Sequence, residues 1–402
     1  MEQTYAIAAV WLALAVVSAI LASHLRISLA LVEICVGVVA ALAANHFFYP
    51  DALGANLGWL RFMASVGAVL LTFLAGAELD PVAMKLKLRE VVVVGLFGFF
   101  APFLGCAALA KFVLGWSTSA SWLAGVALSD TSVAVVYAVM LESGFNRTEF
   151  GKGILGACFV NGLATVIALG LFFAPFSYRT LVFLGASVLL VLLLPLITTY
   201  LTSKYGNRTA AIRTKWILLV LCCMGALALW SGNEAILPAY LAGMALAETI
   251  GRDSAYIRRL RTLTIGFLTP FYFIRAGSLV SVPALAAAPL VLLLLFAGKS
   301  APKILGLFPV IGMFREDRNE RWYYTLMMST GLTFGTIAAL YGLTHKIVTP
   351  QQYSFLVAAV IASAVIPTVI ANAAFFPKHL LPAAPIADKR EAALQRGAGE
   401  GD

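Results

Sequence analysis

This sequence predicts an all-helical polytopic membrane protein with about thirteen transmembrane helices, on three observations. Of its 402 residues 61% are hydrophobic and 12% charged, with a mean hydropathy of +0.93, a balance foreign to ordinary soluble domains. One apolar stretch after another reaches the ~20 residues that a spanning helix needs. The period-two alternation of barrel strands is missing, which leaves helices to satisfy the backbone in lipid.

Taken in order, the apolar windows end at Pro, Gly or charged residues. The first, near 5–24, has no basic flank before it. It also exceeds the apolar run of a signal peptide, about 7–15 residues, and so reads as a span. The next four lie near 28–47, 57–79, 90–114 and 120–142, and the middle four near 153–175, 179–201, 213–231 and 235–249. The last four lie near 262–280, 284–310, 323–343 and 353–376. The ninth is short and holds Pro238, and Gly or Pro interrupts the third, tenth and twelfth. Residues 1–377 thus form one transmembrane domain. Beyond it, 378–402 turns polar and reads as a short cytoplasmic tail, too short for a nucleotide-binding domain. The charge-dense linker "GMFREDRNERW" (312–322) reads as a loop at the inner surface.

Basic residues collect in the odd-numbered connections, from Arg26 and the Lys85–Arg89 cluster to Arg258, Arg259 and Arg261 and the Arg315–Arg321 linker. Even connections offer little beyond Arg179 and Lys346. That asymmetry puts the N-terminus outside and the C-terminus in the cytoplasm of an inner or plasma membrane, as an odd span number requires. The net charge of +9 therefore faces anionic lipid rather than nucleic acid. The five cysteines lie in apolar spans without metal-ligand spacing and read as small buried hydrophobes.

A weak repeat runs through the chain. "LTFLAGAELDPVAM" (71–84) resembles "LTPFYFIRAGSLVSVPAL" (268–285), and "SDTS" (129–132) is answered by "STGLTFGT" (329–336). Each pair is seven spans apart, so the halves run in opposite directions through the membrane. Inverted repeats whose paired helices are interrupted near mid-depth point to a secondary transporter's site.

Few ionisable groups fall within spans: Glu33, Glu78, Lys111, Asp130, Arg275, Lys299 and Lys303. A charge near the bilayer centre costs at least about 2.5–3.5 kcal/mol on insertion scales, so it marks function. Asp130 is the central candidate. Two helices broken at 129–132 and 329–336 cross near the midplane, exposing carbonyls and opposed dipole ends. Ser129, Thr131 and Ser132 add hydroxyls beside the carboxylate, and Ser329, Thr330, Thr333 and Thr336 face them from the second break. Such hard oxygens suit a monovalent metal cation, and one carboxylate can hold a proton or a cation but not both. A competing role for Asp130 is to cap a half-helix or neutralise a lysine. Lys299, deep in span eleven, is its counter-charge, whereas Lys303 reads as an anchor that snorkels to the inner surface. Arg275 either forms a fixed pair with Glu78 or a broken-helix carbonyl or takes part in transport, Glu78 sits near the inner end of its span, and Glu33 is a gate or a satisfied contact. No HExxH, Walker loop or Ser/His pair is present, which argues against an enzyme or ATP-driven pump.

With these residues assembled, residues 5 to about 377 resemble the cation:proton antiporter-2 family, the Kef/NapA-type Na⁺ or K⁺:proton exchangers. The resemblance rests on "FLAGAELDP" (73–81), "ALSDTSVAVVYAVMLESG" (127–144), "GKGILGACFVNGLATVIALG" (151–170), "PFYFIRAG" (270–277) and "MMSTGLTFGTIAALYGL" (327–343). It implies a thirteen-helix NapA/NhaA-like homodimer. A mobile core, about 57–175 and 262–376, would move like an elevator against a dimerisation scaffold, without a cofactor. Family members carry an acidic or Asn-Asp pair in the sixth span, and here the matching positions read Asn161-Gly162. The lost aspartate implies a relocated site: Asp130 as shared ligand, Asn161 beside it, and Gly162 clearing room for the carboxylate. The alternatives are a cation channel or transport-inactive sensor, or an anion or organic-acid symporter on the same scaffold. Sodium and potassium cannot be told apart from residue types, since both accept hard oxygens.

Overall fold

The structure is a computed structural model that describes residues 2–25, 29–47, 53–77, 87–143, 145, 148–173, 178–205, 211–231, 235–251 and 253–380. Among these residues the regular elements are all helical. The first half comprises α1 (Glu2–Leu25), α2 (Leu29–Phe47), α3 (Gly58–Ala77), α4 (Leu88–Ala108), α5 (Thr118–Ser129), α6 (Val133–Ser143) and α7 (Glu149–Phe173). Then follow α8 (Tyr178–Tyr205), α9 (Ile212–Ser231), α10 (Ile236–Leu246), α11 (Ser254–Leu263) and α12 (Thr269–Ser278). The last elements are α13 (Val282–Ala287), α14 (Pro289–Gly312), α15 (Arg318–Met328), α16 (Thr333–Thr344) and α17 (Pro350–Ala374). Ten helical stretches, α15 and α16 counted as one, are long and apolar enough to cross a bilayer. The broken α5–α6 pair, short α10 and the continuous α11–α12 stretch bring the described segments to thirteen.

Local chemistry explains several boundaries. Ser117, Asp253 and Asp317 cap α5, α11 and α15, and Thr349 forms a capping box with Gln352 just before Pro350. Three expectations shift. Span three is one unbroken helix, α3. Span ten runs from Ser254 through a π-helical turn at Thr264–Leu268 into α12. Pro270 does not end it, because the π-helical turn directly before it already departs from the i→i−4 ladder and accommodates the missing N–H. Span eleven starts at Pro289 rather than near 284. Ala288 has non-helical backbone angles (φ −142°, ψ 64°) and separates α14 from the short α13.

Packing sorts the helices into two groups. Helices α1, α2, α3, α8, α9, α10 and α12 lie chiefly against one another, and α4, α5, α7, α14, α15, α16 and α17 form the second group. Segments 58–77 and 269–278, grouped with the core by the sequence reading, pack mainly on α10 and α2. Helices α3 and α10 touch backbone to backbone: a Cβ on Gly76 would run into the Tyr240 carbonyl, and one on Gly243 into that of Phe73. Small residues allow this approach, which drives helix association in lipid, where no hydrophobic gain separates helix from solvent. The outward faces of α1 and α8 stay apolar.

Candidate ion-binding site at the helix crossing

Two interrupted helices meet inside the second group. Helix α5 ends at Ser129 and α6 resumes at Val133; α15 ends at Met328 and α16 resumes at Thr333. The two gaps bond directly to each other. The Ser132 N–H donates to the Thr330 carbonyl at 3.1 Å, and the Thr131 hydroxyl donates to the Met328 carbonyl at 2.7 Å. Ser132 and Thr333 hydroxyls meet at 3.3 Å. Asn161 of α7 spans the first gap, accepting from the Thr131 N–H at 2.7 Å and donating to the Ser129 carbonyl at 3.3 Å. Backbone groups freed by breaking a helix in a membrane need such partners.

Asp130 lies at the centre and is fully buried. Its Oδ2 accepts from the Gly335 N–H at 3.0 Å, at the positive end of α16, while Oδ1 makes no hydrogen bond of ordinary distance and angle among the described residues. Lys299 and Lys303 arrive from α14, both wholly buried. Neither reaches the carboxylate. Lys303 Nζ donates to the Asp130 carbonyl at 2.9 Å, the Thr131 hydroxyl at 2.7 Å and the Met328 carbonyl at 2.9 Å. Lys299 Nζ donates to the same Asp130 carbonyl at 3.3 Å and lies where a side chain on Gly331 would have to go.

The structure therefore brings together Asp130, Thr131, Ser132, Asn161, Thr333 and Lys299. Four other expected hydroxyls turn back onto their own helices: Ser129 to Val126, Ser329 to Thr325, Thr330 to Met327 and Thr336 to Leu332. Ser129 and Thr330 serve the crossing through their carbonyls instead. Arg275 stands apart, its Nε donating to the Ala55 carbonyl at 2.8 Å in the loop before α3. Its suggested partner Glu78 lies outside the described residues. Glu33 is buried on α2 with Oε2 unpartnered.

Two expectations are corrected. Lys303 does not snorkel, because three oxygens at the crossing hold it. A signal for this lay in the sequence: Leu295, Lys299, Lys303, Leu307 and Ile311, every fourth residue, form the buried stripe of α14. Nor does Gly162 make room for the carboxylate. A Cβ there would lie 3.0 Å from the Phe334 ring, so an aromatic side chain fills the space. Away from the crossing, Asp317, Glu320 and His379 hold ligand atoms within 4.8 Å of one another, but Asp317 caps α15 and His379 bonds Glu320 at 2.9 Å.

A family model described as the transmembrane region of sodium/hydrogen exchangers matches residues 12–375. The chain belongs to the sodium/hydrogen exchanger family. Within it, the chain is 23% identical over 334 residues to "Probable Na(+)/H(+) antiporter 3" of Methanocaldococcus jannaschii, covering 79% of this chain and 84% of the relative. It is also 24% identical over 342 residues to "Cation/H(+) antiporter 18" of Arabidopsis thaliana, covering 80% of this chain but 42% of that protein. It is 25% identical over 299 residues to the glutathione-regulated potassium-efflux protein KefC of Salmonella arizonae, covering 68% of this chain and 46% of KefC. The fold matches the structure of the sodium proton antiporter MjNhaP1 from M. jannaschii, with TM-score 0.69 and 17% identity over 92% of this chain and 97% of that one. The exchanger fold and the resemblance to antiporters and KefC proteins are thus established.

Proposed function

We propose that this exchanger-family protein trades a monovalent cation, Na⁺ or K⁺, for protons at the Asp130 crossing. The second helix group would carry the site across the membrane by sliding, elevator-like, against the first. The observation that carries the reading is the Asp130 carboxylate, buried between two helix breaks with no ordinary hydrogen bond to Oδ1 among the described residues and no lysine bonded to it. Around it the C-terminal ends of α5 and α15 present the Ser129 and Met328 carbonyls, the negative dipole ends that favour a cation. Coupling follows from charge. One carboxylate faces two ammonium groups, so a cation can enter only as a proton leaves Nζ of Lys303 or Lys299. In this reading Asp130, from its own place at the first helix break, takes over the role of the sixth-span carboxylate that Gly162 lacks, while the Phe334 ring fills the space beside the glycine.

Dye-monitored exchange in proteoliposomes tests this. Asp130→Asn keeps an oxygen for the Gly335 N–H, so the fold should survive while proton flux driven by a Na⁺ or K⁺ gradient falls to background. Undiminished exchange removes Asp130 from the mechanism. The surplus positive charge favours one second reading, an organic-anion carrier on the same scaffold. That reading predicts thermal stabilisation by organic anions and none by alkali cations. In the exchange reading the protein works as a multi-pass homodimer in the inner or plasma membrane, N-terminus outside, with no cofactor and no nucleic-acid partner. The apolar outward faces of α1 and α8 support contact with lipid and a second copy.

A further inference from the structure

We infer that the crossing is sized for a cation as large as an ammonium group, so that K⁺, Rb⁺ or NH₄⁺ is preferred to Na⁺ or Li⁺. This rests on the exchange reading above and names its substrate. The Lys303 ammonium is a tethered cation already seated in an oxygen cage. Its three acceptors, the Asp130 carbonyl, the Thr131 hydroxyl and the Met328 carbonyl, stand at 2.9, 2.7 and 2.9 Å. A free monovalent cation that replaces it meets the same three oxygens once the side chain withdraws, and takes over the charge that faces the buried Asp130 carboxylate.

The cage resists shrinking because its walls are bonded to one another and the residues that carry them to neighbouring elements. Thr131 is held through its N–H by Asn161 at 2.7 Å, and its hydroxyl is bonded to the Met328 carbonyl at 2.7 Å. The next residue, Ser132, is bonded to the Thr330 carbonyl at 3.1 Å, and the Asp130 side chain to the Gly335 N–H at 3.0 Å. An ammonium and a potassium ion are close in size. Sodium and lithium draw their oxygens nearer and hold water more tightly, so a stiff ammonium-sized cage leaves them under-coordinated. Cavity size and the rigidity of the ligands then set the order of preference. Lys299, with a single bond at 3.3 Å, leaves the size of the cage to Lys303.

The test is uptake of tracer Rb⁺ into proteoliposomes driven by a proton gradient, with K⁺, NH₄⁺, Na⁺ and Li⁺ each as competitor. The expected result is competition by K⁺ and NH₄⁺ at concentrations lower than Na⁺ by about tenfold or more, the factor that about 1.4 kcal/mol of preference gives. Thr131→Val, which removes one cage oxygen, should erase that preference, while Thr131→Ser, which restores the hydroxyl, should keep it. Stronger competition by Na⁺ or Li⁺, or an unchanged order in Thr131→Val, overturns the size inference and leaves cation exchange standing. Absence of proton-driven flux with every alkali cation, Na⁺ tracer included, overturns the exchange reading and this inference together.

Discussion

Gly162 and Phe334 show how one side chain's absence is used by another. Where the family resemblance leads one to expect a carboxylate, the ring of Phe334 closes on the glycine and stacks edge-on against Tyr240 at 5.8 Å. Gly162→Ala should therefore strain the contact, at the roughly 1–3 kcal/mol typical of overpacking, and lower the thermal unfolding midpoint. Phe334→Leu in the same chain should recover most of that loss. Additive effects of the two substitutions would mean that the ring does not occupy the glycine's space. The two lysines teach a related lesson. Their position on α14 was legible from fourth-residue spacing, but their choice of a carbonyl over the carboxylate was not. That choice depends on where the Asp130 backbone turns, and only the crossing fixes it.

At the scale of elements, α11 and α15 depart from the apolar helices, amphipathic stretches whose charges masked their true starts from the hydropathy window. Helix α11 is fastened by Asp253, which caps it and accepts from Arg213 of α9 at 2.7 Å, while the Arg213 guanidinium lies 4.4 Å from the Tyr256 ring centre. The Arg213 hydrogen bond, then the Tyr256 N–H, holds the Asp253 carboxyl below its usual range. A depressed folded-state value means that the stabilisation is complete above the unfolded carboxyl's titration, about pH 4. It is lost as pH falls through the lower folded value. Unfolding midpoints of wild type and Asp253→Asn should differ at neutral pH and converge in acid, with salt narrowing the gap because the pair is partly exposed. A gap that persists in acid would show that the effect does not come from the carboxylate's charge, since asparagine caps a helix as well as aspartate does. The helix breaks, by contrast, were readable at once, because "SDTS" and "STGL" put hydroxyls and glycine where lipid-embedded helices otherwise stay apolar.

For the whole molecule, the question is what joins the two helix groups. Among the described residues, hydrogen bonds that cross between them include Tyr240 to the Phe159 carbonyl at 3.2 Å and Tyr353 to the Ala276 carbonyl at 2.7 Å. A sliding core must break them. Cys158, fully buried and 3.6 Å from Met328 Sδ beside the crossing, provides a native reporter. Tyr353→Phe removes one bond, worth about 1 kcal/mol. It should speed modification of Cys158 by a membrane-permeant thiol reagent severalfold, read by peptide mass. An unchanged rate would place the closure of the site elsewhere.

The sequence alone determined the class of this protein, its succession of spans, the two broken helices and the buried acid, because the cost of charge and free backbone in lipid is paid locally and shows in composition. Tertiary structure alone decided which oxygens hold each ammonium, that the Phe334 ring packs onto Gly162, and that α3 and α12 lie with α10 and α2. The reason is that most of these helices are apolar all round. With no polar face to mark their inward side, their rotation and neighbours are set by close packing, which no single stretch of sequence encodes.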